Sequence, residues 1–443
     1  MNPEIENDEV RILLAPVGDP SGWREATYFC DQENKESKSG YYSMVCSGEH
    51  DAVILLVQDS IIFPTSKIEN RNKLYTRCSE RTPCVSGYAP KSYDELIRNV
   101  EDYTRCIFSD YFSDGKSLSV IAVPSLGFYE DWCSKEKKLA MSSNASPEMI
   151  RSILTIKIYE EVSRFRSSRL TMDVDLTHGI NYFNQLTMQA ARDVASVFSL
   201  TRQQVKLNFY SAIPIVERNQ YSYWKVISSE VPALTIYQNK LNYTELEAIK
   251  VALESNAPLL LLMYLKKYDL SKIEQDEEKF SKSATLSCDG SSCTVQYDLK
   301  AVPPLFKNSY NSYYYIVFRE LLRYREIPKE GMYFSTEQVG NIGRETFRFN
   351  RVSEHIINTE ISKIERMVRN KKDFESDLSE IDKQEGEQGE VHGSSDEYRN
   401  FVVHAGLEKD FTRIKKKGDE VLLTYNEKMK DFIKRHKWPP IDS

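Results

Sequence analysis

Within one stretch, residues 170–197, the spacing of apolar positions changes its period. Leu170, Met172, Val174 and Leu176 alternate with Thr171, Asp173 and Asp175, the period of a β-strand. Ile180, Phe183, Leu186, Ala190, Val194 and Val197 then recur at helical spacing. The switch falls at Thr177-His178-Gly179, which predicts a short polar turn from the end of a strand into the start of a helix. Before it, residues 10–17, 52–57 and 118–123 are apolar runs, and 205–210 follows it. Helical segments divide these runs, most clearly at 147–165, where Ser146 and Pro147 make a cap and first turn. Near-continuous apolar strands separated by helices predict a parallel sheet covered on both faces. Asp173 and Asp175 are unusual in such a strand and mark a locally polar face.

The pattern changes beyond residue 215. A helix is predicted over 244–253, with Glu245 and Glu247 early, as the helix dipole favours. Asp289-Gly290-Ser291-Ser292 lies between two β-like runs and predicts a hairpin. Residues 216–305 therefore read as a helical linker carrying a β-hairpin insertion suited to oligomer contacts. From 306 to 443 the pattern is helical. Tyr310, Tyr313, Tyr314, Phe318, Leu321 and Leu322 form an aromatic stripe expected in a core. Ile356, Ile357, Ile361, Ile364 and Val368 line another helix. Residues 373–397 are acidic and broken by Gly386, Gly389 and Gly393, which predicts a mobile loop.

A length of 443 residues suits two or three domains, and 28% charged with 40% apolar residues is ordinary for a globular protein. The longest apolar stretch, 258–265, is too short to span a bilayer, and the first residues are acidic and polar. A cytoplasmic protein without membrane contact is expected. The net charge of −7 argues against a nucleic-acid-coated surface but leaves room for a local basic groove. Eight cysteines are spaced too irregularly for a zinc framework, and no metal is expected. Cys78 with Cys84 and Cys288 with Cys293 stand closer. The hairpin would set the second pair face to face, reduced in a mesophile cytosol and oxidised where disulfides are tolerated.

Three predicted strands end in small-residue turns: Gly18-Asp19-Pro20, Pro124-Ser125-Leu126-Gly127 and Thr177-His178-Gly179. In a parallel sheet they open onto one edge, where backbone N–H groups favour phosphate and Trp23 can stack a base. Plain helix capping also accounts for the last turn, with Thr177 or Asn181 as cap and Gly179 supplying a positive φ. A dinucleotide fingerprint and a Walker lysine motif are both absent. The run Asp175-Leu-Thr-His-Gly-Ile-Asn181 resembles the signature of the CARF domain, the Rossmann-like sensor of type III CRISPR systems. That resemblance implies a cyclic oligoadenylate, cyclic tetra-adenylate by family, in a cleft shared by two such domains. Gly18, Asp19, Pro20, Trp23, Pro124, Ser125, Gly127, Thr177, His178, Gly179 and Asn181 are its candidate contacts.

Near the other end, Arg399 and His404 are separated by four residues, with Asn400 after the arginine and Ala405-Gly406 after the histidine. Arg348 and His355 satisfy a looser version of the same spacing. In its context the first match resembles the R-x4-H motif of HEPN ribonucleases, which implies an all-α HEPN domain over 306–443. The residue types suit RNA cleavage without metal: the 2′-OH attacks the neighbouring phosphate, His404 exchanges a proton and Arg399 stabilises the developing charge. On a helix Asn400 and His404 share a face, and Arg399 sits about 100° away. The resemblance further implies that a homodimer joins two such motifs into one site. Arg366, Arg369, Lys371, Lys372, Arg413, Lys415, Lys416 and Lys417 are candidate counter-charges for RNA. The expectation is a cyclic oligoadenylate-activated, metal-independent single-stranded-RNA endoribonuclease of CRISPR defence, needing no cofactor, dimeric or a higher assembly of dimers. The alternatives are a DNA-binding CARF regulator and a catalytically inactive scaffold.

Overall fold

The computed structural model describes residues 9–31, 36–46, 48–63, 71–83, 90–111, 117–132, 138–215, 219–289, 292–325, 328–347, 351–384 and 396–441. Cys84, Arg348 and residues 385–395 lie outside these. The chain forms two compact units, one from Met1–Pro232 and Ile273–Tyr313, the other from Ala233–Lys272 and Tyr314–Ser443. The span 216–305 is thus divided between them and does not form one linker domain.

In the first unit β1 (Glu9–Val17), β2 (Ala26–Asp31), β3 (Glu36–Gly40), β4 (Ala52–Gln58) and β5 (Ser117–Val123) come first. A pair, β6 (Leu126–Trp132) and β7 (Lys138–Asn144), follows, then β8 (Arg169–Asp175), β9 (Gln204–Pro214) and β10 (Gln220–Glu230). Eight of these build one sheet in the order β3-β2-β10-β9-β8-β1-β4-β5. Five adjacent strands, β9-β8-β1-β4-β5, are parallel, as the apolar runs predict. β10 runs antiparallel to β9, and β3 antiparallel to β2. β10 falls in the span expected to be a helical linker; its sequence mixes Ser, Lys and Glu among apolar residues, and most of it is exposed, so it gives no buried-strand signal. β4 is buried at every position.

β1 lies between β4 and β8, so the winding direction reverses there. Such a reversal opens a crevice beyond the carboxyl ends of the two strands. The helix Asn181–Phe198 leaves β8 at this point and packs against Pro147–Ser163, whose N-terminus is capped by Ser146 with Pro147 in the first turn. The polar face signalled by Asp173 is present. Its enclosed carboxylate accepts from Arg11 Nε at 2.6 Å, His50 Nε2 at 2.9 Å and Asn208 Nδ2 at 2.7 Å. Burial alone would raise its pKa, but the bonds from His50 and Asn208 and the charge of Arg11 hold it below its ordinary value.

The predicted hairpin forms as β11 (Ala284–Asp289) and β12 (Ser292–Tyr297), with Cys288 and Cys293 opposite one another in a disulfide. β12 pairs in parallel with β7, giving a second sheet β11-β12-β7-β6. The hairpin therefore belongs to the first unit. Cys30 pairs with Cys46, and Cys78 pairs with Cys106.

The second unit is mainly helical, with Thr244–Glu254, Pro258–Lys267, Thr336–Thr346 and Arg351–Val368 among its longest helices. It is not all-α. β13 (Phe334–Ser335), β14 (Phe374–Asp377), β15 (Thr412–Lys417) and β16 (Glu420–Tyr425) make an antiparallel sheet in the order β13-β16-β15-β14. β15 alternates inward Thr412, Ile414 and Lys416 with outward residues; an inward lysine hides that period from a hydrophobicity reading. Residues 374–384, expected within a loop, form β14 and the helix Leu378–Gln384. Of the aromatic stripe, Tyr314, Phe318 and Leu321 in this unit are fully buried, as is Tyr313, the last residue of the first unit.

Candidate functional site

The crevice beyond β1 and β8 is built by two turns locked together. Gly18 N–H donates to the carbonyl of His178 at 2.7 Å. A Cβ on Gly18 would lie 2.7 Å from that same oxygen, so the close approach requires glycine. A Cβ on Gly179 would meet the Asn184 side chain, 1.9 Å from its Oδ1, and would displace it from the turn. The expected positive φ at Gly179 is not found. Capping by Thr177 or Asn181 is not found either. Ile180 is the cap residue, without a side-chain bond. Thr177 is occupied elsewhere, its N–H and Oγ1 both donating to Asp175 Oδ1 while Oγ1 accepts from Ala212 N–H. Asn184 Nδ2 closes the turn on the carbonyls of Leu176 and Gly179.

Asp19 caps the short helix Pro20–Gly22 through Ser21 N–H at 2.8 Å and so delivers Trp23 to the crevice. Trp23 and His178 have ring centroids 4.3 Å apart. His178 Nε2 accepts from Ser43 N–H at 2.9 Å, and Ser43 Oγ donates to Asp175 at 2.6 Å. Burial pushes the pKa of His178 down to about 4 against the pull of Asp175, so the ring is a neutral acceptor at pH 7. A cleft of about 330 Å³ opens here, lined by Trp23, Thr177 and His178 together with Arg24, Tyr28 and Tyr221. The last three escaped the sequence reading. Tyr28 and Tyr221 come from paired strands and stack at 5.6 Å, a meeting no local pattern announces, whereas Arg24 stands next to Trp23 in the chain.

Pro124, Ser125 and Gly127 follow β5 but are not among the residues lining this cleft. Ser125 N–H donates to the buried carboxylate of Asp59 at 2.8 Å, and Leu126 N–H to the Tyr182 hydroxyl at 3.3 Å. Gly127 has φ +105°. Asn181, also outside the lining, begins the helix and is exposed.

In the second unit Asp396 caps the helix Glu397–Val403 by accepting from Arg399 N–H. His404 is its C-terminal cap residue and donates its N–H to Asn400 O at 3.0 Å, which keeps the expected four-residue relation. Ala405 (φ +52°) and Gly406 (φ +71°) then stop the helix, and the Tyr425 hydroxyl donates to Gly406 O. His404 Nδ1 lies 3.1 Å from Glu360 Oε1, and Nε2 lies 3.5 Å from Glu408 Oε2. The bond to Glu360 raises the histidine's pKa against the opposing effect of burial, and Glu408 adds to the rise. Neither glutamate was singled out from sequence. Glu408 stands four residues after His404, a findable spacing; Glu360 is 44 residues away. Arg399 is exposed and makes no side-chain hydrogen bond or ion pair among the described residues. Asn400 and Glu408 line a cleft of about 270 Å³ with Lys428 and Arg435.

Part of the basic run, Arg413, Lys415 and Lys416, is engaged within the fold. Lys416 Nζ donates to the carbonyls of Val368, Arg369 and Lys371 at 2.7–2.9 Å, closing the end of a helix. Arg413 pairs with Asp377, and Lys415 with Glu330. Among the described residues no group of three or more His, Cys, Asp or Glu is placed to hold a metal ion, and no helix is long and apolar enough to cross a membrane.

Two family models match the two regions in which these residues lie. A switch-point α/β sheet joined to a mainly helical region with an arginine–histidine helix defines a two-part class. The family model "CRISPR system endoribonuclease Csx1, CARF domain" matches residues 12–214, and "CRISPR system endoribonuclease Csx1, HEPN domain" matches 350–427. The chain belongs to the CARF–HEPN endoribonuclease family of CRISPR systems. A relative from Methanocaldococcus jannaschii, the CRISPR system endoribonuclease Csx1, is 24% identical over 444 positions, covering 91% of this chain and 86% of the relative.

Proposed function

We propose that this protein is a single-stranded-RNA endoribonuclease switched on by a cyclic oligoadenylate, with tetra-adenylate as the expected ring. The observation that carries the reading is the setting of His404. Its ring is held by Glu360 on one nitrogen while Arg399 stands exposed on the helix that His404 ends. RNA supplies its own nucleophile: the 2′-OH loses a proton and attacks the adjacent phosphorus, and the 5′-oxygen leaves with a proton. The products are a cyclic phosphate and a 5′-hydroxyl. His404 exchanges a proton in this step, Arg399 bears on the charge that builds on phosphate, and Asn400 orients the histidine or the phosphate. Two copies of the motif, one from each member of a dimer, make the site.

At the other site, neutral aromatic and imidazole faces at Trp23, Tyr28 and His178 suit adenine, and Arg24 at the rim suits phosphate. Ligand binding favours the dimer arrangement in which the two Arg399–His404 pairs act together. The test measures cleavage of a labelled RNA with and without cyclic tetra-adenylate, using cyclic hexa-adenylate as a second arm. His404→Ala should abolish cleavage while leaving activator binding intact; full activity in that variant removes the assignment. Cleavage should persist in EDTA and leave a 5′-hydroxyl end, and a strict magnesium requirement contradicts the chemistry.

A further inference from the structure

Glu360 is a mostly enclosed carboxylate, its side chain 16% exposed. Among the described residues its hydrogen bond is to His404 Nδ1, at 3.1 Å. An enclosed carboxylate is retained only with a partner that compensates for lost water. Here that partner is the histidine of the arginine–histidine helix. Nδ1 therefore carries a proton directed at Glu360, and Nε2 is the nitrogen left for proton exchange. On that side Glu408 Oε2 lies at 3.5 Å, beyond a good hydrogen bond, so Nε2 remains available.

We infer that Glu360 is a positioning residue for RNA cleavage, fixing the tautomer and orientation of His404 so that Nε2 faces the scissile phosphate. This rests on the reading of His404 as the catalytic histidine. The charged groups acting on the ring are Glu360 and Lys363 from the helix Arg351–Val368 and Glu408 from the segment after the histidine, with Lys409 and Asp410 beside Glu408. Glu360 and Glu408 favour the imidazolium, and Lys363 opposes it.

The alternative is that Glu360 only ties two helices together. Glu360→Gln separates the two, because it keeps the shape and an acceptor oxygen while removing the charge. In full-length protein with cyclic tetra-adenylate and labelled RNA, Glu360→Gln should slow single-turnover cleavage at pH 7.5 about tenfold. The limb of the pH–rate profile assigned to His404 should move about one unit to lower pH. Glu360→Ala should lower kcat about 100-fold with KM for RNA nearly unchanged, and Glu360→Asp should recover part of the loss. Nitrogen NMR of the His404 ring, recorded without RNA, should show the Nδ1–H tautomer in the parent and a mixture in Glu360→Ala. An unchanged pH profile and tautomer in these variants, with His404→Ala inactive, overturns the role of Glu360 alone. An active His404→Ala instead overturns the catalytic reading, and the ring tautomer then still reports on Glu360.

Discussion

Gly406 carries the tightest backbone demand near the arginine–histidine helix. At φ +71° an L-residue is strained by about 1 kcal/mol, and a Cβ there would stand 2.7 Å from Ala257 Cβ and 3.0 Å from the Tyr425 hydroxyl. Gly406→Ala should therefore cost about 2–3 kcal/mol in denaturant unfolding, and an unchanged midpoint would show that the turn relaxes freely. The Ala-Gly pair that helped mark the motif in the sequence is thus a helix stop. Lys416 invites a parallel test. Its three carbonyl partners make Lys416→Met destabilising by about 1.5–3 kcal/mol. The salt dependence of RNA binding should stay as it was, whereas a lysine touching RNA phosphate would lower that slope. His404 gives a pH signature. Its folded-state pKa is raised, so the stabilisation is fully present below the unfolded value of about 6.5 and is lost as pH rises through the folded pKa. The gap in Tm between the parent and Glu360→Gln should therefore be wide at about pH 6 and closed at about pH 9.

Strand-to-helix turns show how far local pattern reaches. The switch at Thr177-His178-Gly179 was legible because both periods, β8 on one side and Asn181–Phe198 on the other, are written in consecutive residues. The reason for Gly179 was not, because it depends on where Asn184 folds back. The five parallel strands were legible for the same reason as the turn. The pairing of β12 with β7 and the small sheet of the second unit were not, since they join residues far apart in the chain and β15 carries an inward lysine. Among the candidate contacts, Trp23, Thr177 and His178 meet at one cleft, while the turn after β5 serves Asp59 and Tyr182. Calorimetric titration with cyclic tetra-adenylate tests that division. Trp23→Ala should weaken binding about tenfold through lost stacking. Ser125→Ala should leave it unchanged, because that side chain is buried outside the cleft. Equal losses in both would place the ligand across the sheet edge.

The whole molecule carries one Arg399–His404 pair per chain, in a span matched by the HEPN model, and the span matched by the CARF model lies in the other compact unit. The chain passes between the units at three points, after Pro232, Lys272 and Tyr313. The proposed composite site makes a quantitative demand on mixed dimers. With parent and His404→Ala subunits co-expressed under different affinity tags, a purified heterodimer holds two intact activator clefts and one histidine. If each chain carried a complete nuclease site, the heterodimer would retain half of the parent activity. If both histidines serve one reaction as base and acid, losing either removes a proton-transfer partner, and that is worth about 100-fold or more. Activity of about one per cent of the parent or less, with activator binding at full stoichiometry, is the outcome the shared site requires, and one-half would assign a separate site to each chain.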